Sequence, residues 1–465
     1  MTDSPPASAP ERAPRRAPGP LSAPYRWLSI GMFSLVFLAA FESLAVTTIM
    51  PLVADDLDGA SLFAVAFSVP LAAGVIGMVL AGNWSDRKGP LPPLISAAVL
   101  FIIGLVIAGT ATTMEMLVVG RFVHGLGGAA VTVPLYVIVG RVYPLEIRAR
   151  VFAGFAAAWV IPSIIGPAIA GAIAEAFTWH WVFLGVIFLV LPAGAMMLPP
   201  LLRVRAQVEG DSTVPWSVSR LAWAVLAAAA ALALSLAKEL PEPGRWILAA
   251  ASLVVIVVAV RPLLPRGTLL AKPGIPGTVL VRAIVAGAFF GSEIYLPYFL
   301  IEQYEFSPSL AGAVLTGAGV SWAVASWLQG RLVGRLSNVA AVRIGTAVLA
   351  VALGVVLLVA AFGLAPWVAF IAWTIAGGGM GFMYPRFSVS VLELSPTSAQ
   401  GFNSAALTIG ESLGSASVLA ITPLVAGALA AGAFTADFSV TLAVALVAVV
   451  LAGRVRPAAG ATVGR

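Results

Sequence analysis

The chain has 465 residues, of which 60% are hydrophobic and 10% charged, and its formal net charge is +6. Its mean hydropathy of +1.02 lies outside the range of soluble proteins. The absence of cysteine excludes disulfides, thiol catalysis and thiolate metal sites. The basic residues are spread over short segments between apolar runs, so the charge does not indicate nucleic-acid binding.

Apolar runs long enough to cross a bilayer recur along the chain. A spanning helix needs about 20 apolar residues, and runs this continuous are too long for the strands of a membrane barrel. The predicted fold class is therefore all-α integral membrane. Residues 1–25 are rich in Pro, Ala and Arg and are predicted to be a disordered tail. They do not form a signal peptide, because the apolar segment that follows can span the membrane.

The runs predict fourteen spans, grouped as six, two and six. The N-terminal bundle (26–200) is predicted to contain helices near 26–50, 61–82, 91–110, 114–140, 152–174 and 181–200. A linker (201–219) leads to an inserted helical pair (220–262), with helices near 220–238 and 246–262, and a second linker (263–276) follows. The C-terminal bundle (277–453) is predicted to contain helices near 277–300, 308–329, 341–362, 366–385, 401–425 and 436–453, before a tail at 454–465.

The positions of the basic residues predict the orientation. With the N-terminus inside, the inner segments collect most of the arginines and lysines, whereas the outer loops hold only Lys238 and Arg245. This asymmetry follows the positive-inside rule. We therefore expect a multi-pass protein of the cytoplasmic membrane with both termini in the cytoplasm.

An internal repeat at an offset of about 250 residues predicts two pseudo-symmetric bundles. Glycine-rich stretches in the fourth and tenth helices of the twelve-helix core are each followed by a proline at the same spacing. The matching positions are Gly125–Gly128 with Pro134 and Gly377–Gly379 with Pro385, Gly82 and Gly330, Arg87 and Arg335, and Glu42 and Glu293. The architecture expected is that of an alternating-access transporter.

Charged residues inside spans are costly and carry most of the functional information. Glu42 and Arg121 both lie about 10–14 Å below the outer surface, at a rise of about 1.5 Å per residue. Burial favours the neutral carboxyl and a guanidinium favours the carboxylate, so this pair is expected to let Glu42 trade a proton for substrate. A static structural ion pair is the alternative.

Glu293 and Glu411 are the other candidates for proton coupling. Glu411 shares a polar helix face with Ser404 and Thr408, whereas Glu293 has no partner evident from sequence and is a proton site or a hydrogen-bonded neutral acid. His124, one turn from Arg121, is a proton relay or a packing residue. The candidate cavity residues are His124, Tyr136, Trp159, Tyr295, Tyr298, Trp373 and Phe402.

The segment Gly82-Asn83-Trp84-Ser85-Asp86-Arg87-Lys88-Gly89 is predicted to be a very short loop at the membrane surface. Asp86 is expected to cap the helix that begins near Gly401, where a negative charge meets the positive end of the helix dipole. The gating residues predicted here are Gly82, Asp86, Arg87 and Gly89. Gly166, Pro167 and Gly171 of the fifth helix are predicted to be gating residues too, because small residues let helices approach closely and prolines bend them.

These motifs resemble the major facilitator superfamily of transporters. The loop resembles its Gly-x-x-x-Asp-Arg-x-Gly signature, and Arg121 to Gly128 resembles the fourth-helix pattern of proton-coupled exporters. Residues 162–171 resemble the fifth-helix antiporter motif, with Pro162 and Ala170 departing from it. The resemblance, over residues 26–453, is to the drug:proton antiporter branch with fourteen helices. It implies that Arg121 assists proton transfer and that Glu42 is a proton or cation site.

The favoured function is therefore proton-coupled export of small amphipathic compounds, with import or facilitated transport by the same fold as the alternative. A membrane enzyme is disfavoured because the chain has two histidines, no paired carboxylates at metal spacing and no phosphate-binding loop. A lipid-translocating role also fits a carrier fold. We expect no cofactor and no metal, and a monomer whose partners are the substrate, protons and the bilayer.

Overall fold

The computed structural model describes residues 19–59, 62–237, 240–293, 295–306, 308–332, 334–429 and 433–457. Within these ranges the protein is helical and contains no β-strand, which confirms the all-helical class. The α-helices are α1 (Arg26–Asp56), α2 (Phe63–Lys88), α3 (Leu91–Gly109), α4 (Met114–Val142), α5 (Leu145–Ala176), α6 (His180–Arg203), α7 (Val218–Leu236), α8 (Gly244–Val260), α9 (Ile275–Glu293), α10 (Tyr295–Tyr304), α11 (Pro308–Arg331), α12 (Asn338–Phe362), α13 (Pro366–Leu394), α14 (Gln400–Leu429) and α15 (Ala433–Leu451).

Ten helices in the described part of the chain are long and apolar enough to cross a membrane by length and composition. The inserted helices α7 and α8 carry shorter apolar stretches, Val218–Leu234 and Gly244–Val260. The protein is therefore an integral membrane protein, and the count of fourteen spans stays a prediction.

The first six helices pack on one another, and so do α9 to α15. In the first group α4 lies against α2 and α3, and in the second group α13 lies against α11 and α12. Both groups use a glycine at the equivalent contact. A Cβ on Gly125 would collide with the backbone of Pro70, and one on Gly377 would collide with the backbone of Ala318. Pro70 and Ala318 are 248 positions apart, so the repeat seen in the sequence is also a repeat of helix packing.

The two groups, hereafter the first and second halves, meet along two seams. One seam is formed by α2 and α14 and the other by α5 and α11. Helix α7 packs along α2 and also contacts α14, and α8 packs on α7, so the inserted pair lies over the first seam. One end of the bundle is called the terminal face. There α1 and α14 begin, and α2 and α4 end.

The segment 82–89 is not a loop, which corrects the sequence-based prediction. Helix α2 continues through Asp86 to Lys88 and ends at Gly89, whose φ of 80° suits glycine. Arg87 and Lys88 lie in the last turn, where cations stabilise the negative end of the helix dipole. Only Gly89 and Pro90 separate α2 from α3, so the connection is even shorter than expected.

Candidate functional site

Asp86 joins the two halves at the terminal face. Its Oδ1 accepts a hydrogen bond from the N–H of Gly401 at 2.6 Å, and its Oδ2 accepts one from the N–H of Phe402 at 2.8 Å. These donors belong to the first turn of α14, whose N–H groups have no partner within the helix. Asp86 is buried, and a Cβ on Gly82 would press against the backbone of Gly401. The capping contact predicted from the sequence is confirmed.

The first predicted linker (201–219) corresponds to residues 204–217 between α6 and α7, and it lies against the same end of α2. From here on, the linker means residues 204–217. Arg87 donates from Nη1 to the carbonyl of Val214 at 2.6 Å, and the N–H of Asp211 donates to the carbonyl of Asp86 at 2.8 Å. The linker is therefore attached to Asp86 itself, through its backbone carbonyl, and to the next residue, Arg87.

A turn at Asp211 shapes the linker. Its Oδ1 accepts hydrogen bonds from the N–H of Thr213 at 2.9 Å and from the hydroxyl of Thr213 at 2.5 Å. These two hydrogen bonds lower the pKa of Asp211, because they stabilise the carboxylate. The same two hydrogen bonds favour the turn whenever Asp211 is ionised.

The second seam is built differently at the terminal face. Gly334, the repeat equivalent of Asp86, has no side chain to cap a helix and has a φ of 83°. Gly330 lies beside the side chain of Arg150. Arg148, at the start of α5, interacts electrostatically with Glu393 at the end of α13. The described contacts are thus asymmetric between the seams.

Glu42 and Arg121 form a buried ion pair inside the first half. Nη1 of Arg121 lies 2.6 Å from Oε1 of Glu42, and the two side chains are 8% and 3% exposed. Arg121 also donates from Nε to the carbonyl of Ala66 on α2 at 3.4 Å. The pair therefore links α1 to α4, as their matched depths permit.

His124 completes this cluster. Its Nε2 lies 3.2 Å from Oε2 of Glu42, although outside hydrogen-bond geometry, and its Nδ1 lies 3.4 Å from Nη1 of Arg121. Its ring packs on Phe101 with centroids 4.7 Å apart. His124 thus contacts both charged groups, while the same ring fills a packing position.

A second ion pair joins the buried Arg282 to the partly buried Glu411. Nη2 and Nε of Arg282 donate to Oε2 of Glu411 at 2.6 and 3.0 Å, and Nη1 donates to the hydroxyl of Ser388 at 2.9 Å. The guanidinium also lies 4.5 Å from the ring centroid of Tyr384. Tyr136, on α4 of the first half, interacts electrostatically with Arg282. The cluster therefore lies where the two halves face each other.

The sequence does not predict the Arg282–Glu411 pair, nor the buried acid Asp437. Asp437 of α15 is 4% exposed, and its Oδ1 has no hydrogen-bond partner within the described ranges. It interacts electrostatically with Tyr295, whose hydroxyl donates to the carbonyl of Leu419 at 3.3 Å. The signal that would have found it is an acid four residues into an apolar helix.

The other candidate residues lie apart from one another. Trp373 occupies the repeat position of Arg121 but is fully buried and stacks on Phe289 with centroids 4.6 Å apart. In this conformation it packs in the core, and its assignment to the cavity stays a prediction. Trp159 is 47% exposed, and Phe402 lies at the terminal face. Glu293 is half-buried at the end of α9, and the side chain of Tyr298 lies outside the described residues.

Among the described residues, the glycines of the α5 motif make no close helix contact. A Cβ on Gly166 would lie 3.7 Å from the ring of Phe41, an ordinary contact, and one on Gly171 would meet no described atom within 4 Å. Close contacts at these two glycines are therefore not among the described contacts, and their gating role stays a prediction. The side chain of Pro167 lies outside the described residues.

The described residues contain no group of three or more His, Cys, Asp or Glu side chains that could hold a metal ion.

The comparisons with known proteins identify a family and several efflux pumps. The model of the Major Facilitator Superfamily matches residues 32–419. The multidrug efflux pump SdrM of Staphylococcus aureus is 23% identical over 407 residues, which are 83% of this chain and 87% of that protein. A probable multidrug-efflux transporter of Mycobacterium tuberculosis is 26% identical over 425 residues, 88% of this chain and 86% of that protein.

Solved structures share the fold at low sequence identity. The human organic anion transporter MFSD10 (TETRAN) superimposes with a TM-score of 0.72 at 15% identity, covering 92% of this chain and 99% of that one. The proton:xylose symporter XylE superimposes with a TM-score of 0.68 at 14% identity, covering 91% and 94%. Such identities bear on the fold alone.

Proposed function

Because the chain belongs to the major facilitator superfamily of membrane transporters, which are not enzymes, we propose that it is a proton-coupled antiporter that exports small amphipathic compounds. The observation that carries the proposal is the buried cluster of Glu42, Arg121 and His124, combined with relatives that are multidrug efflux pumps. In this proposal the chain spans the cytoplasmic membrane fourteen times, and the terminal face is cytoplasmic because its segments carry the basic residues.

The proposed proton site is Glu42. As a carboxylate it attracts Arg121 and links α1 to α4, and this link is strong because little water screens it. Protonation of Glu42 removes its attraction for Arg121. The guanidinium then needs another hydrogen-bond acceptor, and the carbonyl of Ala66 is within reach. Protonation therefore changes the packing between α1 and α4, which is the coupling an antiporter requires.

The proposed substrate region is the cluster around Arg282 and Glu411. It offers a carboxylate, a guanidinium and the aromatic rings of Tyr136 and Tyr384, contributed by both halves. An amphipathic cation can pair with Glu411 and lie against these rings. Substrate binding then competes with Arg282 for the same carboxylate, so it would loosen the second-half ion pair.

Alternation in this proposal depends on the contact between Asp86 and α14. The contact joins the halves at the cytoplasmic face, so the conformation described is closed on that side. Opening requires that the N–H groups of Gly401 and Phe402 leave the carboxylate. Residues Gly82, Arg87 and Gly89 belong to the same gate because they shape the end of α2.

The test is transport into inverted membrane vesicles acidified inside, with fluorescent cationic dyes as substrates. We expect dye accumulation that an uncoupler abolishes, and no gradient-driven accumulation with Glu42→Gln. Glu115→Gln, an exposed acid on the same helix as Arg121, is the control and should transport normally. Equilibration of the dye without accumulation would favour a facilitator. Movement of the dye from the opposite side of the membrane, in the same direction as the protons, would favour an importer.

A further inference from the structure

The linker and α7 are bound to the gate and do not merely connect the halves. Nδ2 of Asn83 donates to the carbonyl of Pro215 at 3.2 Å, and its Oδ1 accepts from the N–H of Ser217 at 3.1 Å. Trp84 packs edge to face on Trp216 with ring centroids 6.2 Å apart. These contacts hold the start of α7 on the last turns of α2.

Arg220, in the first turn of α7, reaches the second half. Its Cζ lies 4.3 Å from the ring centroid of Phe402, the residue whose N–H donates to Asp86. Arg220 also interacts electrostatically with Asp86 itself. One side chain of the inserted pair therefore contacts Phe402 and acts electrostatically on Asp86, the two partners of the capping contact.

Helix α7 is seated on the seam through small side chains. Ala224, Ala227 and Ala228 are buried, whereas Val225 and Leu226 between them are exposed. At the terminal face, α2, α7 and α14 enclose a narrow crevice lined by Val79, Gly82, Asn83, Arg220, Phe402 and Ala405. This seating fixes where Arg220 lies relative to α14.

We infer that the inserted pair is the third component of the cytoplasmic gate and that Arg220 is a positioning residue for the Asp86–α14 contact. Its charge stabilises the carboxylate that receives the two N–H groups, and its guanidinium holds the Phe402 ring by a cation–π contact. The inference rests on the proposed alternation. If the inference holds, α7 shifts the equilibrium between the closed and the open cytoplasmic gate. A segment that only connects the two halves would leave this equilibrium unchanged.

Thiol labelling measures this equilibrium directly, because the natural chain has no cysteine. Ser404 is fully buried on α14, one turn inside the capped N-terminus, so Ser404→Cys reports opening at the terminal face. In inverted vesicles with a membrane-impermeant maleimide, Arg220→Gln should raise the labelling rate about three- to tenfold, as loss of a partly desolvated cation–π contact implies. Arg220→Lys should restore much of the closure.

Two controls separate gating from loss of folding. Arg245→Gln makes the same change at the opposite end of the inserted pair and should leave labelling unchanged. Phe402→Leu removes the ring but keeps an apolar side chain, so it should raise labelling as Arg220→Gln does. Added to Asp86→Asn, Arg220→Gln should have little further effect, because both act on one contact.

Labelling of Arg220→Gln at the parent rate, or an equal rise with Arg245→Gln, would overturn the inference. If Arg220→Gln does not fold, judged by size-exclusion chromatography in detergent, an unchanged rate in Phe402→Leu overturns it equally. The assay needs neither substrate nor a proton gradient. A failure of dye transport would therefore count against the proposed function and leave the gate result intact.

Discussion

Arg282 of α9 and Glu411 of α14 are 129 positions apart, yet Nη2 of Arg282 lies 2.6 Å from Oε2 of Glu411 inside the second half. This pair is not the repeat equivalent of Glu42 and Arg121, which join α1 to α4. The two halves thus use a related helix packing to hold two differently placed ion pairs. We assign the first pair to the proton and the second to the substrate.

The Arg282–Glu411 pair predicts a large effect of single substitutions on stability. Glu411→Gln leaves the buried guanidinium of Arg282 without its carboxylate; breaking a fully buried pair costs about 3–5 kcal/mol, and the partial exposure of Glu411 makes this an upper bound. We expect a lower thermal unfolding temperature in detergent, measured by tryptophan fluorescence, together with loss of dye transport. Glu302→Gln, an exposed acid on α10, should change neither.

The double variant Arg282→Gln with Glu411→Gln separates structure from function. If the pair only stabilises the fold, removing both charges should restore stability and transport together. If Glu411 also binds cationic substrates, stability should recover while cationic dyes remain untransported. Recovery of cationic dye transport would contradict our assignment of the substrate region.

Glu42→Gln predicts a loss of substrate-linked proton release. Glutamine keeps the shape and a hydrogen-bond acceptor for Arg121 but carries no exchangeable acid. The variant loses stability because a buried charge pair is broken, yet we expect the folded protein to bind substrate without releasing protons. The measurement is the number of protons released into weakly buffered detergent solution on substrate addition. Unchanged release would exclude Glu42 as the carrier and direct attention to Glu293, Glu411 and Asp437.

The two ion pairs differ in how far the sequence could predict them. Glu42 and Arg121 lie at similar depths on helices whose ends were clear, so their pairing required only that the helices face each other. Arg282 lies about 10 Å and Glu411 about 16 Å from the starts of their helices, at about 1.5 Å per residue. The long arginine side chain spans that difference in depth. The depths of the two residues therefore do not predict that they pair.

The features of the gate also differ in how far the sequence could predict them. The capping role of Asp86 followed from a local rule, the attraction between a carboxylate and the first N–H groups of a helix. The sequence does not predict the helical end of α2, because a charged run is typical of a surface loop, whereas this helix extends beyond the hydrocarbon layer. The position of α7 and Arg220 depends on packing between helices distant in sequence, which no local pattern encodes.

Asp86→Asn should weaken the gate without unfolding the protein. An asparagine has one carbonyl oxygen, so it can no longer offer a charged oxygen to each of the N–H groups of Gly401 and Phe402. Such contacts at helix ends contribute about 0.3–2 kcal/mol, and a partial loss of transport rate is expected. Asp55→Asn, an exposed acid at the other end of the first half, is the control. Unchanged turnover in Asp86→Asn would leave this residue a structural cap only.

The orientation of the inserted pair predicts the labelling of two exposed positions. Pro241, between α7 and α8, should face outside, and Ser337, before α12, should face the cytoplasm. Single cysteines at these positions should therefore react with an impermeant maleimide in whole cells and in inverted vesicles, respectively. Labelling of Pro241→Cys only in inverted vesicles would contradict the fourteen-span topology.

Helix packing in the second half predicts a strong contrast between two glycines. A Cβ on Gly381 of α13 would collide with the carbonyl of Trp322 on α11, and backbone atoms cannot move aside cheaply. A Cβ on Gly354 of α12 would meet no described atom within 4 Å. Gly381→Ala should therefore lower the unfolding temperature. Gly354→Ala should leave it unchanged or raise it, because alanine is favoured over glycine in a helix by roughly 0.5–1 kcal/mol. Equal unfolding temperatures for the two variants would show that α11 and α13 are not packed as closely as their glycines imply.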